Sequence, residues 1–261
     1  MGIMLVMTRE MRQWCEFVWA MTEKEIKARY KMAFFGFLWI FLNPLLQMLV
    51  MGFIFQFFIP LKTTNYFEFL FPGLLVWNFF SYTVTKNTPM YINERALIQK
   101  AKFPREAIVI SVVMSNLFHF FISLVVFVLW EALVVHELHW WRWWLIPGIM
   151  VWLAILTTGL SLLFSSLNVK WRDINFGVQA IMPLWFYATP VVYSLDLLPA
   201  WLSRWLYLNP MTAIMEMLRW TTLGLSINWP AVGWSLMVTL VIFGLGVYVF
   251  KKESPFFDDW V

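Results

Sequence analysis

Six long stretches of the chain carry no Asp, Glu, Lys or Arg: residues 32–61, 69–85, 107–130, 143–169, 174–195 and 220–250. A helix that crosses a bilayer needs about 20 apolar residues, because each residue rises ~1.5 Å through ~30 Å of hydrocarbon. Strands of a membrane barrel are ~10 residues long and alternate in polarity, whereas Phe34 to Ile59 shows no alternation. In lipid a segment must bond its own backbone amides, so helices are what remains. The pattern predicts an all-α polytopic membrane protein. Its six transmembrane helices fall at about 34–60, 67–88, 106–134, 143–168, 174–194 and 230–250, within one domain over 32–255, followed by a tail over 251–261.

Two flanking regions have a different texture. Residues 8–31 alternate charge with Trp14, Phe17, Val18, Met21 and Ile26 at near-helical spacing, which predicts an amphipathic helix over 1–31 lying on the membrane surface. Thr22 and Glu25 have capping-box spacing and predict a break there. Such a helix is either a plain interfacial anchor or an anchor that also touches a cytosolic partner. Residues 196–224 are too apolar for an ordinary loop, yet Pro199, Asn209-Pro210 and Gly224 divide them into two pieces of about ten residues. At ~1.5 Å per residue each piece reaches halfway across a bilayer. A re-entrant helical hairpin over 197–224 is the expected form.

Composition adds that 61% of residues are hydrophobic and 13% charged, which excludes a soluble globule and a disordered chain. The single cysteine, Cys15, excludes a disulfide scaffold. Eighteen Trp and 26 Phe exceed what insertion alone requires. Charge sets orientation. Of 19 Lys and Arg, only Lys62, Arg142, Arg204 and Arg219 fall on one side; the other fifteen lie in the N-terminal segment, the second-to-third and fourth-to-fifth connections and the tail. The positive-inside rule puts both termini in the cytoplasm. Residues 1–31 lack an apolar signal core and a cleavage site, so the first span is expected to serve as its own targeting signal. The basic residues lie at the membrane edge and imply no nucleic acid.

Candidate chemistry is sparse. No G-x-x-x-x-G-K-[ST] is present, so this chain is not expected to bind and hydrolyse nucleotide by that route, and any ATP must be handled elsewhere. His136-Glu137-Leu138-His139 lacks the H-E-x-x-H spacing and sits beside Trp140, Trp141, Trp143 and Trp144, an interfacial belt, so no metal is expected. Cys15 has no His base nearby. Within the apolar stretches His119 and Glu131 stand out, and Glu216 with Arg219 has the i,i+3 spacing of a pair. One His and no midplane acid argue against an ion-coupled carrier. Asn43-Pro44, Pro183 and Pro190 predict kinks in the first and fifth spans. Helical stripes of Phe34, Phe37, Phe41, Met48 and Phe55, and of Met182, Phe186 and Tyr193 with Trp185 and Thr189 nearby, are either lipid and packing surfaces or a lining that meets sugar rings through their apolar faces. The connection from Asn87 to Glu106 permits a short amphipathic helix around Glu94, Arg95, Leu97 and Ile98 before Pro104.

These passages together resemble the membrane subunits of polysaccharide-exporting ABC transporters, the type-2 exporter permeases. The resemblance rests on Leu38-Trp39-Ile40-Phe41-Leu42-Asn43-Pro44-Leu45-Leu46, Phe71-Pro72-Gly73-Leu74-Leu75-Val76-Trp77-Asn78-Phe79-Phe80, Lys102-Phe103-Pro104-Arg105, Val169-Lys170-Trp171-Arg172-Asp173-Ile174, Thr189-Pro190-Val191-Val192-Tyr193, and Asn209-Pro210 followed by Arg219, in family order. Trp171 stands where the family commonly has Tyr, and Thr189 where Ser is common. The resemblance implies a homodimer in the bacterial inner membrane, each protomer bound to a separate cytosolic ABC ATPase that carries ATP and Mg, with no cofactor on this chain and no catalysis by it. It implies a lipid-linked glycan cargo, an O-antigen, capsule or teichoic acid, moving between the first and fifth spans. Asn93, Glu94, Arg95, Leu97, Ile98, Lys102, Phe103 and Arg105 then form the ATPase coupling loop, and Asn209, Pro210, Glu216 and Arg219 belong to the re-entrant pair near the outer mouth. Lys and Arg near 24–31 are placed to attract a pyrophosphate carrier, although topology alone explains them. Alternatives from other classes are an ABC permease for small hydrophobic drugs or lipids and a polytopic glycosyl- or lipid-modifying enzyme; the enzyme would need acidic clusters that Glu68, Asp196, Asp258 and Asp259 do not make.

Overall fold

Over residues 9–31, 36–58, 66–100, 103–134 and 140–257, which the computed structural model describes, the chain is helical, and no strand occurs among them. The helices are α1 (Arg9–Tyr30), α2 (Trp39–Phe58), α3 (Tyr66–Asn87), α4 (Met90–Asn93), α5 (Arg95–Lys100), α6 (Glu106–Val134), α7 (Ile146–Lys170), α8 (Asp173–Tyr187), α9 (Ala200–Leu206), α10 (Pro210–Leu223) and α11 (Trp229–Glu253). Among the described residues Glu106–Leu133, Trp141–Lys170 and Trp229–Phe256 are long and apolar enough to cross a membrane, and Trp39–Phe55 is a shorter apolar helix. The family of long apolar helices makes this a multi-pass membrane protein.

The core is organised on α3. Every residue from Phe69 to Trp77 is buried, because α2, α6, α7, α8 and α10 pack around it. Its rings interlock with those of its neighbours: Phe71 with Phe127 of α6, Phe79 with Phe120, and Trp77 with Phe186 of α8 at 5.5 Å. Helices in lipid associate through close packing and hydrogen bonds rather than through water exclusion. The α7–α11 pair shows both. Gly159 faces Gly246, bringing the two backbones into contact, and Trp152 Nε1 donates to Thr239 Oγ1 at 2.8 Å. A second, smaller cluster at the opposite end joins Tyr91, Ile98, Ile108 and Val169 to Phe250 and the fully buried Phe257.

Three sequence expectations are corrected. First, α1 runs unbroken through Thr22. The Thr22 hydroxyl donates to Val18 O one turn back at 2.7 Å, and its buried side chain packs on α6 within 3.4 Å of Ser111 O; Glu25 is occupied by Lys86 of α3, so neither residue acts as a cap. Within an unbroken helix the backbone amides bond to carbonyls four residues back, so none is left for a capping box to satisfy. Second, α8 ends at Tyr187 instead of reaching 194, so Pro190 terminates the helix rather than kinking it. Proline disfavours helical geometry at the residue before it and contributes no N–H. Pro44 and Pro183, in contrast, lie inside α2 and α8. Third, Glu216 and Arg219 make no direct ion pair. Glu216 accepts from Tyr207 O–H at 2.6 Å, while Arg219 is taken up elsewhere.

The apolar segment after α8 forms two unequal helices, seven residues in α9 and fourteen in α10. Asn209 caps α10 by accepting from Met211 N, Pro210 occupies the first turn, where an N–H is dispensable, and Gly224 closes it at φ 71°. α10 is buried against α3, α7 and α11, whereas no residue of α9 is buried and Trp201 and Trp205 point outward.

Candidate functional site

A cavity of about 1180 Å³ opens between α2, α3, α6 and α8, with Arg29 of α1 at its wall. On α2 its lining is Trp39, Ile40, Asn43, Pro44, Gln47 and Met51, a face rotated away from the aromatic stripe. α3 contributes Trp77, Asn78, Ser81, Tyr82 and Thr85, α6 Asn116, His119, Phe120 and Ser123, and α8 Gln179, Met182, Pro183, Phe186 and Tyr187. Amide meets amide across it, Asn78 Nδ2 donating to Gln47 Oε1 at 2.8 Å. Side-chain amides, hydroxyls and ring faces in one wall suit a ligand with many hydroxyls and apolar C–H faces.

The residues proposed from sequence for a channel are distributed unequally. Met182 and Phe186 line the cavity. Met48 and Phe55 pack against the core, Phe55 stacking on Tyr66 at 6.2 Å, and Phe41 is half-buried. Trp185 meets Phe80 edge-on at 5.1 Å. Phe34 and the Phe37 side chain lie outside the described residues.

Thr189 and Tyr193 belong to a second feature, the non-helical turn from Ala188 to Ser194. A turn buried among helices must have its carbonyls satisfied by side chains. Arg219 Nη1 donates to Pro190 O at 2.7 Å, Nη2 to Val191 O at 2.6 Å, and Nε to Phe69 O at 3.1 Å, with Cζ 3.6 Å from the Phe69 ring centroid. Tyr66 O–H donates to Val192 O at 2.9 Å, and Asn209 Nδ2 to Thr189 Oγ1 at 2.8 Å. Tyr193 O–H reaches back to Tyr187 O at 3.0 Å. The turn is thereby fastened to α3 and α10 at once. Either Ser or Thr supplies the hydroxyl at 189, so the departure from the family pattern leaves the bonding intact.

At the end of the molecule holding the smaller cluster, the connection between α3 and α6 is clasped from two sides. Lys24 pairs with Glu94 at 3.0 Å, Glu25 with Lys86, and Phe17 stacks on Phe103 at 4.7 Å, all from α1. Arg105 donates to Ser254 O and lies over the Phe257 ring, binding the connection to the end of α11. Ile98 is buried and Leu97 packs against it, so Asn93, Arg95, Ala96 and Gln99 are what the loop presents to the outside; Lys102 lies outside the described residues. Among the described residues no group of three or more His, Cys, Asp or Glu is placed to hold a metal.

Residues 16–223 match the family of ABC-2 type transporters. The chain belongs to the ABC-2 type transporter family. It is also 34% identical over 214 residues to the O-antigen export system permease protein RfbA of Myxococcus xanthus, covering 81% of this chain and 82% of that one. Two Klebsiella pneumoniae proteins of the same name are 31% and 32% identical over 88% of this chain and 89% of theirs. The ABC-2 family is one of membrane transport subunits rather than enzymes, and its members work with an ABC ATPase.

Within this ABC-2 permease, the reading from sequence had Arg29 only among the basic residues near 24–31, and it missed Asn43, Gln47, Asn78 and Asn116 in the cavity and Tyr66 and Gly73 at the turn. A signal for two of them existed: Asn43 and Gln47 stand i,i+4 in an otherwise apolar run, which puts both amides on one helical face. Gly73 left none, since only the tertiary contact with Arg219 explains it.

Proposed function

We propose that this chain is the transmembrane half of an ATP-driven exporter that moves a lipid-linked polysaccharide, O-antigen-like or capsular, across the bacterial inner membrane through a channel formed between two copies of itself. The observation that carries the reading is the cavity, whose amides, hydroxyls and rings match a glycan better than a purely hydrophobic cargo. The names of the relatives support the same cargo class. α2 and α8 wall the channel, and Met182 and Phe186 contribute to its path. The protomer leaves room for a second copy: of fifteen residues in α8 only Val178, Met182 and Phe186 are buried, while Phe176, Ile181, Leu184 and Tyr187 are exposed. The fold is read as six crossings, with α9 and α10 as the re-entrant pair at the outer mouth and both termini cytoplasmic.

ATP and Mg bind to the separate ATPase subunit, which seats on the loop around α5. α1 is the second contact and is joined to that loop through Lys24–Glu94. Reversing one charge, Glu94→Lys, is expected to lower export several-fold while the protein still inserts; Lys24→Glu in the same chain restores it. Surface polysaccharide measured on whole cells checks this, and undiminished export by Glu94→Lys counts against the clasp as a coupling element.

The homodimer is tested with Leu184→Cys in a Cys15→Ser background. A thiol crosslinker is expected to yield a dimer in membranes, and a strictly monomeric product refutes an α8 interface. Deleting the chain is expected to strip polysaccharide from the cell surface and trap lipid-linked glycan inside. Unchanged surface glycan, with partner ATPase activity stimulated by hydrophobic compounds instead, would establish the drug or lipid permease reading.

A further inference from the structure

The connection that joins α3 to α6 contains only short helices, four residues in α4 and six in α5. Helices of this length have little stability of their own, so their placement depends on what they pack against. Both ends of the connection meet one side chain. Near its start the fully buried Tyr91 ring lies 4.7 Å from the ring of Phe257, and at its close the Arg105 guanidinium lies 5.7 Å from the centroid of that same ring.

Phe257 comes from a different part of the chain. α11 ends at Glu253, and a 3₁₀ turn over Ser254–Phe256, with Pro255 in it, sets Phe257 beside Phe250 of α11, edge to face at 6.2 Å. The Ser254 carbonyl accepts from Phe257 N–H and also from Arg105. Carbonyls at a helix end lack amide partners and favour a cation. Arg105 therefore completes the turn that presents Phe257, and Phe257 offers Arg105 a ring face. The turn separates two neighbouring rings: Phe257 is fully buried, whereas Phe256 is exposed. With the base of the connection closed on this ring, Asn93, Arg95 and Gln99 are exposed on its outer side.

We propose that Phe257 is a positioning residue for ATP-driven transport: by closing the base of the α3–α6 connection against the end of α11, it sets how α5 meets the ATPase subunit. The proposal rests on the reading of that connection as the ATPase seat. Movement of the seat is thereby passed to α11 as well as to α3 and α6.

The test uses the full chain with its ATPase subunit in nanodiscs, in a Cys15→Ser, Gln99→Cys background labelled with a benzophenone maleimide. Illumination of the parent is expected to crosslink α5 to the ATPase. Phe257→Ala is expected to reduce that crosslink at least fivefold and, in the unlabelled complex, to lower ATP turnover at least threefold at unchanged KM for ATP, because the nucleotide site lies on the partner. Phe257→Leu refills most of the space and is expected to recover more than half of both. Phe127→Leu, which removes a buried ring of the larger cluster, serves as the control for a merely structural defect. It is expected to melt lower and crosslink as the parent does; thermal unfolding verifies that each variant is folded. An equal loss of crosslink in Phe127→Leu overturns the positioning role. Absence of the crosslink from the parent, in a complex that hydrolyses ATP, refutes the reading of the connection as the ATPase seat. A parental crosslink and turnover that Phe257→Ala leaves undiminished refute the positioning role alone.

Discussion

Arg219→Met is expected to leave little folded protein. The side chain is 3% exposed and holds three backbone carbonyls from two separate parts of the chain, Phe69 on α3 and Pro190 and Val191 in the turn after α8. Hydrogen bonds from a charged donor contribute about 1.5–3 kcal/mol each, and a buried acceptor left without a donor costs about 1–3 kcal/mol. Removing the cation also removes its own desolvation cost, which offsets part of the loss. A net destabilisation of several kcal/mol remains, a large share of a typical margin of about 5–15 kcal/mol. Arg219→Lys is the informative variant. It keeps the charge but has one compact ammonium where three acceptors lie around a planar fork, so it is expected to fold, melt lower and export poorly because the end of α8 is no longer held to α10. Gly73→Ala approaches the same defect from the other side, since its Cβ would come within 2.5 Å of Arg219 Nη2 and 3.0 Å of Val191 O. The two changes disturb one contact, so the double variant should be little worse than either alone. Full additivity in thermal unfolding would mean that Gly73 and Arg219 act independently.

Gly246→Ala is expected to lower stability by about 2 kcal/mol although it adds only a methyl group. Its Cβ would lie against the Gly159 carbonyl, and a Cβ on Gly159 would come within 2.6 Å of Phe243 Cα. Both obstacles are backbone, so the helices must separate rather than a side chain rotate. Overpacking of this kind costs about 1–3 kcal/mol, and the upper end applies because Trp152–Thr239 and the rest of the α7–α11 contact move with the backbone. The better helix propensity of Ala returns up to about 1 kcal/mol. Gly244, two residues earlier on α11, has nothing within 4 Å of its added Cβ. Gly244→Ala should therefore be neutral or slightly stabilising. Thermal unfolding of the three proteins in one detergent checks the pair, and equal melting of Gly246→Ala and the parent would show that α7 and α11 do not approach as described.

Helices with a strong local signal were legible before any tertiary contact was known. α6 and α11 follow from charge-free runs, and α10 from Asn209, Pro210 and Gly224, whose roles at a helix start and stop depend only on neighbouring backbone. The reading of α1 as amphipathic identified its apolar residues, but its buried face is Val18, Met21, Thr22 and Glu25. Two of those four are polar and are buried because α3 and α6 supply partners for them. The cavity was less legible for a related reason. Aromatic residues draw attention in a sequence, yet Met48 and Phe55 pack into the core while Asn43 and Gln47, one face away, line the open space. Thr189, Asn209 and Arg219 were each singled out, but nothing in their spacing showed that they converge on one turn.

By itself the sequence determined that this protein lives in a membrane, that it is helical and where its longest helices run. Those properties depend on residues close together along the chain: length against bilayer thickness, charge against hydrocarbon, and caps against the amides beside them. The tertiary structure decided which polar residues are buried in pairs and which face the cavity, that α8 stops at Tyr187 with its turn held by Arg219, and that Arg29 is held by Asn116 and His119. Each of these is a contact between segments as much as 150 residues apart. The free energy of burying an amide, a carbonyl or a guanidinium is set by the partner it meets there.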